Sequence, residues 1–354
     1  MAEKTLMKGN EALAEGAVRA GCRFFAGYPI TPQNEIPEYM SWRLPEMGGT
    51  FIQAESEVAA INMLFGASAC GARVMTSSSG PGISLKQEGI SYCAGARLPI
   101  FYANVVRGGP GLGNIAPSQG DYYQATRGGG HGDYRVFVMA PGSVSEMANF
   151  PRKCYEVAFK YRIPSMILAD GLLGQMMEPL EFDFEPVDTS TIPEPDWVLG
   201  VNEGRKRRVV RSYDLAPGKM EEFNLELDSI HSEVKANEVI CETIETDDAE
   251  LVLTGYGTSA RVCKSAMALA RKEGIKVGVI RPITIWPFPE KIFSEIADKV
   301  KNFLVVEMSL GQYIDDVKLS ILGKAKIDLH KRPAGGIPVA EEILGVIKQI
   351  LGKS

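Results

Sequence analysis

Strand-type and helix-type segments alternate along the first half of the chain. Short apolar stretches are each followed by a segment with a helical pattern, and they lie at 22–27, 50–53, 73–76 and 98–106. Alternation of this kind predicts a mostly parallel sheet with helices on both faces. Further strand and helix patterns continue the repeat to about residue 170. We therefore predict an α/β domain over residues 1–185.

The alternation stops near Pro186 and resumes near residue 250. The segment between begins with a proline-containing stretch and continues as a charged arm at 219–245, which we predict to be a helix. With 354 residues, 45% of them hydrophobic, the chain is long enough to form two cores. The sequence predicts a linker and connecting helix at 186–247, followed by a smaller α/β domain at 248–354.

Composition argues against several classes of protein. The net charge is −6 and the basic run at 204–211 is short, so we do not expect nucleic-acid binding. No apolar stretch approaches the roughly 20 residues of a membrane helix, and the first residues lack a signal-peptide pattern. We expect neither membrane insertion nor export, and the cytoplasm is the expected location.

The six cysteines are scattered along the chain and lie mostly in apolar stretches. Their spacing matches no metal or cluster motif, and a long chain without an export signal gives no reason to expect disulfides. We predict buried, reduced thiols and no metal site. Any iron–sulfur cluster would have to lie on another polypeptide.

Two acids, Glu55 and Glu57, precede the apolar segment 58–70. Apolar and small residues on every side predict a helix that is buried all round, with a carboxylate at its head. An acid in a first helical turn gains roughly 0.3–1 kcal/mol from the helix dipole, which explains Glu57 without any function. Burial instead lets a carboxyl share a proton with a ligand nitrogen. Glu55 cannot share the face of Glu57 and receives a structural interpretation.

Glycine-rich turns suggest phosphate sites at first sight, at 77–82, 108–113, 128–132 and 255–257. None of them matches a P-loop or the dinucleotide fingerprint. The last follows a strand and opens a helix, so an anion site there is an alternative to a plain tight turn. Asp170 precedes Gly171 as in a diphosphate–magnesium pattern, but the expected asparagine is missing. We interpret it as a strand-end turn.

Two loop residues are candidate ligand contacts. Arg107 ends a strand and begins the long glycine-rich loop 107–133, where open α/β sheets carry their sites. Its guanidinium can present a fork to a carboxylate, or it can be a solvated loop charge. Thr31 lies between Pro29 and Pro32, and its hydroxyl serves either a ligand or the cap of the next helix.

Five motifs together resemble the α subunit of the 2-oxoacid:ferredoxin oxidoreductases. They are YPITP at 28–32, AESE at 54–57, TSSSGPG at 76–82, VRGGP at 106–110 and the proline-rich segment 281–289. The likeness covers nearly the whole chain, and the first three motifs in combination are specific. Within the family, the sequence is most similar to the 3-methyl-2-oxobutanoate (2-ketoisovalerate) type, with the 2-oxoglutarate type next.

The resemblance implies a thiamine-diphosphate pyrimidine-binding-type domain followed by a transketolase-C-terminal-like α/β domain. It also implies oxidative decarboxylation of a 2-oxoacid to acyl-CoA and CO₂, with electrons passed to ferredoxin and coenzyme A as co-substrate. Thiamine diphosphate would be shared with a β subunit that carries the diphosphate–Mg²⁺ site and a [4Fe–4S] cluster. Small γ and ferredoxin-like δ subunits often complete such complexes.

The same resemblance assigns expected roles to residues that match the motifs. Glu57 corresponds to the family's catalytic glutamate, which contacts the aminopyrimidine ring, and Ser79 and Gly80 line that half of the cofactor site. The expected substrate contacts are Thr31 and Arg107, together with Pro29 and Ile30.

Two alternatives remain open at this point. One is half of a non-oxidative thiamine enzyme, such as a transketolase or decarboxylase subunit, although the YPITP loop is not typical of those. The other is a non-catalytic scaffold subunit. The intact set of Thr31, Glu57 and Arg107 argues against the scaffold.

Overall fold

The structure of the chain is a computed structural model that describes residues 4–200, 204 and 206–353. The basic run at 204–211 therefore lies partly outside the described residues. The N-terminal half contains these elements in order: β1 Thr5–Lys8, α1 Gly9–Arg19, β2 Phe24–Gly27, α2 Glu35–Glu46, β3 Thr50–Gln53, α3 Glu57–Ala69, β4 Val74–Ser78, α4 Pro81–Gly95, β5 Phe101–Val106, α5 Tyr122–Arg127, β6 Phe137–Met139, α6 Val144–Tyr161, β7 Ser165–Asp170, α7 Gly171–Gln175 and β8 Met177–Leu180.

The C-terminal half begins after a 3₁₀ turn at Thr189–Thr191 and a long connecting segment. Its elements are α8 Lys219–Asn237, β9 Cys241–Ile244, β10 Leu251–Thr254, α9 Gly257–Lys272, β11 Val277–Pro282, β12 Thr284–Trp286, α10 Glu290–Lys299, β13 Asn302–Glu307, α11 Tyr313–Ile321, β14 Lys326–Lys331 and α12 Ala340–Leu351.

A seven-stranded sheet organises the N-terminal half, in the order β12-β6-β7-β5-β4-β2-β3. Its strands run parallel except β12, which pairs antiparallel with β6. Every residue of the central strands β4, β5 and β7 is buried, as expected for a parallel sheet with helices on both faces. The predicted α/β class is confirmed.

A five-stranded sheet organises the C-terminal half, in the order β14-β13-β10-β11-β9. It is parallel except for β9, which pairs antiparallel with β11. The prediction of one helix over 219–245 is wrong at its end, because α8 stops at Asn237 and Cys241–Ile244 forms β9. Pairing with the edge of β11 outweighs the local helical pattern there.

Several short elements escaped the sequence analysis. β1 and β8 form a two-stranded antiparallel sheet in which Thr5 pairs with Leu180. β12 joins the seven-stranded sheet although it follows β11 directly in the chain. Such pairings join residues far apart in sequence, so local patterns carry little information about them.

Helix α3 is not buried all round, contrary to the prediction. It packs against β2, β4 and α4, but Val58 is 43% exposed and Asn62 and Gly66 are also exposed. A helix with apolar residues on most sides is expected to be covered by other parts of the protein or by a partner. This chain covers only part of the surface of α3.

The described cysteines are all free thiols, and four of the six are buried. Cys70, directly after α3, is exposed, and Cys241 is partly exposed. Burial is therefore confirmed for Cys22, Cys93, Cys154 and Cys263 and wrong for Cys70. Among the described residues, no helix is both long and apolar enough to cross a bilayer.

The glycine-rich loop 107–133 connects the two sheets and contains α5. The buried side chain of Gln119 donates to the carbonyl of Tyr256 at 2.8 Å and accepts from Ser259 Oγ at 2.8 Å. The backbone N–H of Met308 also donates to Gln119 Oε1, at 3.0 Å. The glycine-rich loop therefore forms a hydrogen-bonded bridge between the two halves of the chain.

Candidate active site

Glu57 is the first residue of α3, and a short turn separates it from the carboxyl end of β3 at Gln53. The Ser56 hydroxyl caps the helix by accepting from the N–H of Ala59 at 3.2 Å. Glu57 is buried, with 6% of its surface exposed, whereas Glu55 is exposed. The structure therefore separates the two acids as the sequence predicted.

The carboxyl of Glu57 lies against the turn between β4 and α4. A Cβ atom placed on Gly82 would lie 2.6 Å from Glu57 Oε1 and 2.1 Å from Ser78 Oγ. Gly80 in the same turn has a φ of 46°, a conformation that favours glycine. The SSSGPG motif is thus a tight turn whose glycines let the backbone approach Glu57.

Two hydroxyls in this turn are buried without a partner. Among the described residues, neither Ser78 Oγ nor Ser79 Oγ finds a hydrogen-bond partner. A buried unsatisfied polar group costs about 1–3 kcal/mol. Ser78 Oγ and the Glu57 carboxyl lie close to the same point on Gly82, so a ligand with hydrogen-bonding atoms that reached the turn could satisfy them.

The sequence analysis missed Lys86, which is completely buried on α4. Its Nζ donates to the backbone carbonyl of Glu57 at 3.4 Å. Burial lowers the pKa of Lys86 to about 8, and the charge of Glu57 acts in the opposite direction. The local sequence provided little signal, because Lys86 is followed by the polar residues Gln87 and Glu88, as on an exposed helix face.

The loop at 28–32 is hydrogen-bonded at its C-terminal end and exposed to solvent at its tip. The carbonyl of Pro32 accepts from Asn10 Nδ2 at 2.8 Å and from Gln175 Nε2 at 3.1 Å. Pro29 and Thr31 are exposed. Because α2 begins at Glu35, with Asn34 in the cap position, the alternative that Thr31 caps this helix is wrong.

Neighbouring residues extend the loop's attachment to the sheet. Ile30 is half-buried, and Gln33, which is fully buried, accepts a hydrogen bond from the hydroxyl of Ser77 on β4. This bond joins the start of α2 to the carboxyl end of the neighbouring strand. The loop tip therefore lies near the SSSGPG turn.

Arg107 joins the loop tip to the glycine-rich loop. Its Nη1 donates to the carbonyl of Thr31 and its Nη2 to the carbonyl of Leu112, both at 3.0 Å. The side chain is only 8% exposed, so the alternative of a solvated loop charge is wrong. Its Nε has no partner among the described residues. A Cβ placed on Gly80 would lie 3.4 Å from that Nε.

The predicted site residues therefore form a connected group. Glu57 lies against Gly82, Gly80 lies against Arg107, and Arg107 binds the backbone of Thr31. All of them lie at the carboxyl ends of neighbouring parallel strands, where open α/β sheets bind ligands. Local sequence patterns indicated each residue, and the parallel sheet brings them to one edge.

A cleft of about 660 Å³ opens beside this group, between the two halves of the chain. Gly80 and Arg107 line it from the N-terminal half, and Ser309 and Leu310 line it from the C-terminal half. Its volume is in the range of small-molecule sites, about 300–1,000 Å³.

Asp121 also lines the cleft and was missed by the sequence analysis. Burial raises the pKa of its carboxyl, opposed by a hydrogen bond from Asn104 Nδ2 at 2.9 Å. An acid with a raised pKa in a cleft is a candidate proton donor.

Asp170 serves as a helix cap. Its Oδ1 accepts from the N–H groups of Leu172 and Leu173, at 3.0 and 3.2 Å, and thus caps α7. This arrangement confirms the strand-end turn predicted for it. At the glycine turn 255–257, Tyr256 is buried and its carbonyl accepts a hydrogen bond from Gln119.

Comparison with known protein families defines the class of the chain. Residues 15–201 match the family model for pyruvate flavodoxin/ferredoxin oxidoreductases, thiamine diphosphate-binding, and residues 249–343 match core domain II of pyruvate:ferredoxin oxidoreductase. The chain belongs to this family and is a subunit of a thiamine-diphosphate-dependent 2-oxoacid:ferredoxin oxidoreductase.

Individual relatives agree with the resemblance inferred from the motifs. The chain is 47% identical over 349 residues to the ketoisovalerate oxidoreductase subunit VorB of Methanothermobacter thermautotrophicus, covering 99% of this chain and 98% of the relative. It is 34% identical over 387 residues to the 2-oxoglutarate synthase subunit KorA of the same organism, covering 98% and 99%. These relatives favour the oxidoreductase over the non-oxidative and scaffold alternatives.

Solved structures give the same fold. The chain is similar to the 2-oxoglutarate:ferredoxin oxidoreductase from Magnetococcus marinus with a TM-score of 0.84 and 25% identity, covering 98% of this chain and 65% of that one. A split-gene transketolase matches with a TM-score of 0.59 and 14% identity over 98% of both chains, a likeness of fold alone. The predicted order of a thiamine-diphosphate-binding domain and a transketolase-C-like domain is confirmed.

Proposed function

We propose that this chain supplies the pyrimidine side of a thiamine diphosphate site shared with a β subunit. The substrate that we propose is a branched-chain 2-oxoacid such as 3-methyl-2-oxobutanoate, because a relative named for ketoisovalerate is 47% identical to the chain. The second candidate is 2-oxoglutarate, for which a relative at 34% identity is named. The acyl group passes to coenzyme A and the electrons to ferredoxin.

The observation that carries the proposal is the buried carboxyl of Glu57 against the turn that holds two unsatisfied hydroxyls. A Cβ on Gly82 would lie 2.6 Å from Glu57 Oε1, and the Oγ atoms of Ser78 and Ser79 have no partner among the described residues. A ring with nitrogen donors and acceptors can form hydrogen bonds with such groups. Glu57, Ser79 and Gly80 are the residues proposed to hold the cofactor.

Thiamine diphosphate, when bound, supplies a carbon nucleophile and an electron sink for decarboxylation. The role proposed for Glu57 is to share a proton with a nitrogen of the pyrimidine ring. Its burial excludes water, and exclusion of water strengthens the interaction of a carboxyl with a partner nitrogen. The cap at Ser56 fixes the start of α3 and thereby the direction of the side chain.

The substrate carboxylate is proposed to bind Arg107 and the loop at 28–32. Arg107 retains a free Nε, and its two backbone contacts fix the plane of the guanidinium. The exposed Thr31 and Pro29 and the half-buried Ile30 are positioned to contact a ligand that enters from solvent. Such groups act mainly by orienting the substrate.

The proposal includes partner subunits and a division of the chain. The β subunit would carry Mg²⁺ and a [4Fe–4S] cluster, with γ and ferredoxin-like δ subunits in the complex and a cytoplasmic location. The exposed face of α3, formed by Val58, Asn62 and Gly66, lies beside the site and supports docking of a partner there. The two sheets support the division into 1–185, 186–247 and 248–354, although β9 and β12 cross it.

The test is Glu57→Gln in the assembled complex, with proton–deuterium exchange at the thiazolium carbon as the measurement. Loss of the carboxyl is expected to slow exchange by about 10²–10⁴-fold, the usual contribution of a positioned acid–base group. Glu55→Gln is the matched control, because Glu55 is exposed two residues earlier. Wild-type exchange in the Glu57→Gln complex would contradict the role of Glu57.

A second experiment tests the reaction type and the substrate. The purified complex is assayed with a panel of 2-oxoacids and a viologen dye as electron acceptor. We expect strict dependence on the acceptor and on coenzyme A, and the highest kcat/KM for a branched-chain substrate. Turnover without an acceptor would favour a non-oxidative thiamine enzyme, and a preference for 2-oxoglutarate would select the second candidate.

A further inference from the structure

Lys86 on α4 is buried completely, which is unusual for a lysine. Its one hydrogen bond runs from Nζ to the backbone carbonyl of Glu57, at 3.4 Å, longer than a typical N–H···O bond. Within the part of the chain that the structure describes, no carboxylate lies close enough to Lys86 for a salt bridge. A buried ammonium with one long contact costs free energy, so it requires an explanation.

The packing of α3 on α4 holds Lys86 beside Glu57. Gly82 and Lys86 are four residues apart and therefore lie on the same face of α4. On that face, Gly82 lies against the Glu57 carboxyl and Lys86 contacts the Glu57 backbone. One turn further, a Cβ on Gly89 would lie 2.4 Å from Ile61 of α3. The two helices are thus in close contact along this face.

The charges of Lys86 and Glu57 influence each other. Burial lowers the pKa of Lys86 to about 8, and the attraction of Glu57 opposes this effect. Glu57 is the one titratable group, among the described residues, whose charge acts on Lys86. The two side chains are therefore electrostatically coupled in the folded chain.

We propose that Lys86 is a positioning residue for Glu57, which fixes the head of α3 through the Glu57 carbonyl and holds a positive charge beside this end of the helix. This inference rests on the proposed function of Glu57. The proton moves between the Glu57 carboxyl and a ring nitrogen of the ligand, and Lys86 keeps its own protons. Without the ammonium, the head of α3 loses this contact with α4.

The first test uses the full chain without cofactor and measures thermal unfolding against pH. The pKa of Lys86 falls from 10.5 to about 8 on folding, so the charged form destabilises the fold below pH 8 and the effect disappears by pH 10.5. Lys86→Met is therefore expected to unfold at a higher temperature than wild type at pH 7. The difference should shrink between pH 8 and pH 10.5.

A double-mutant cycle with Glu57→Gln isolates the coupling of the two side chains. Without the carboxylate, the buried ammonium is less favourable, so Lys86→Met should raise the unfolding temperature more in the Glu57→Gln background. Equal increases in unfolding temperature in the wild-type and Glu57→Gln backgrounds would overturn the electrostatic coupling of the two side chains. A Lys86→Met chain that fails to fold would show that Lys86 is required for folding as a whole, and would overturn its role as a positioning residue.

The second test uses the assembled complex and the rate of thiazolium proton–deuterium exchange. Lys86→Met should slow exchange, because the head of α3 loses its contact with the Lys86 ammonium. Lys86→Arg keeps a charged donor and should return the exchange rate toward wild type. Lys264→Met is the matched control, because Lys264 is ion-paired with Glu242 in the C-terminal half.

The outcomes separate this inference from the proposed function. An unchanged exchange rate in Lys86→Met, together with lost exchange in Glu57→Gln, would overturn the role of Lys86 alone. Wild-type exchange in Glu57→Gln would contradict the proposed function itself. In that case the double-mutant cycle on the cofactor-free chain decides whether Lys86 and Glu57 are coupled.

Discussion

Nη1 of Arg107 donates a hydrogen bond to the backbone carbonyl of Thr31 at 3.0 Å, joining two loops that are 76 residues apart in sequence. A second bond, from Nη2 to the carbonyl of Leu112, fixes the guanidinium plane. Arg107 is thus both a tether between loops and a candidate carboxylate contact through its free Nε. The preformed geometry lowers the entropic cost of binding a substrate.

Arg107→Lys is expected to raise the KM for the 2-oxoacid by about tenfold or more, because an ammonium cannot replace a guanidinium held by two carbonyls. Steady-state kinetics of the assembled complex measure the effect. Arg152→Lys is the control, since Arg152 lies on the exposed surface of α6 and pairs with Glu156. Equal KM values for Arg107→Lys and wild type would exclude Arg107 from substrate binding.

Gly82→Ala is expected to displace the Glu57 carboxyl, because the added Cβ would lie 2.6 Å from Glu57 Oε1 and 2.1 Å from Ser78 Oγ. Overpacking of this kind costs about 1–3 kcal/mol of folding free energy. Denaturant unfolding of the chain measures the loss, and thiazolium exchange in the complex should slow.

Gly345→Ala is the matched control for this substitution, because a Cβ at that position of α12 meets nothing within 4 Å. The usual gain of about 0.5–1 kcal/mol for glycine to alanine in a helix is expected there. A Gly82→Ala chain as stable as wild type, with normal exchange, would show that the turn has room to relax.

Asp170→Asn is expected to stabilise the chain at neutral pH. Burial raises the pKa of Asp170 above its ordinary value, opposed by Thr258 and by the two backbone N–H groups of α7. The fold therefore disfavours the carboxylate above the folded pKa, and this penalty disappears as acid protonates the group in both states. The advantage of Asp170→Asn in thermal unfolding should shrink as the pH falls toward 4.

Asp188→Asn should behave in the opposite way. A hydrogen bond from Ser190 lowers the pKa of Asp188, which is exposed, so the carboxylate is the favoured form. Loss of that carboxylate should lower stability at neutral pH and have no effect in acid. If both substitutions raised the unfolding temperature at neutral pH, burial of the carboxylate would not explain the stabilisation by Asp170→Asn.

Gln119→Ala is expected to destabilise the chain by about 2–4 kcal/mol, because it leaves the buried hydrogen-bonding groups of Tyr256, Ser259 and Met308 without a partner. Urea unfolding measures the loss, and limited proteolysis should detect earlier cleavage in the loop 107–133. Gln349→Ala on the exposed face of α12 is the control. If the urea unfolding curve of Gln119→Ala matched that of wild type, the hydrogen bonds of Gln119 would contribute little to the free energy of unfolding.

Local patterns were sufficient to predict much of this protein. Alternating apolar strands and helices predict a parallel sheet because a parallel strand must be covered on both faces, and β4, β5 and β7 are buried throughout. The motifs around Thr31, Glu57 and Arg107 were visible in the sequence because glycines and prolines mark the turns that carry them. The predicted family followed from the same motifs.

Only the tertiary structure decided the rest. The burial of Lys86 against Glu57 depends on how α4 packs on α3, and β9 forms because the edge of β11 offers unpaired backbone groups. Arg107 became a tether rather than a solvated charge because the sheet brings the loop of Thr31 beside it. Such contacts join distant residues, so they are properties of packing and not of any local segment of the sequence.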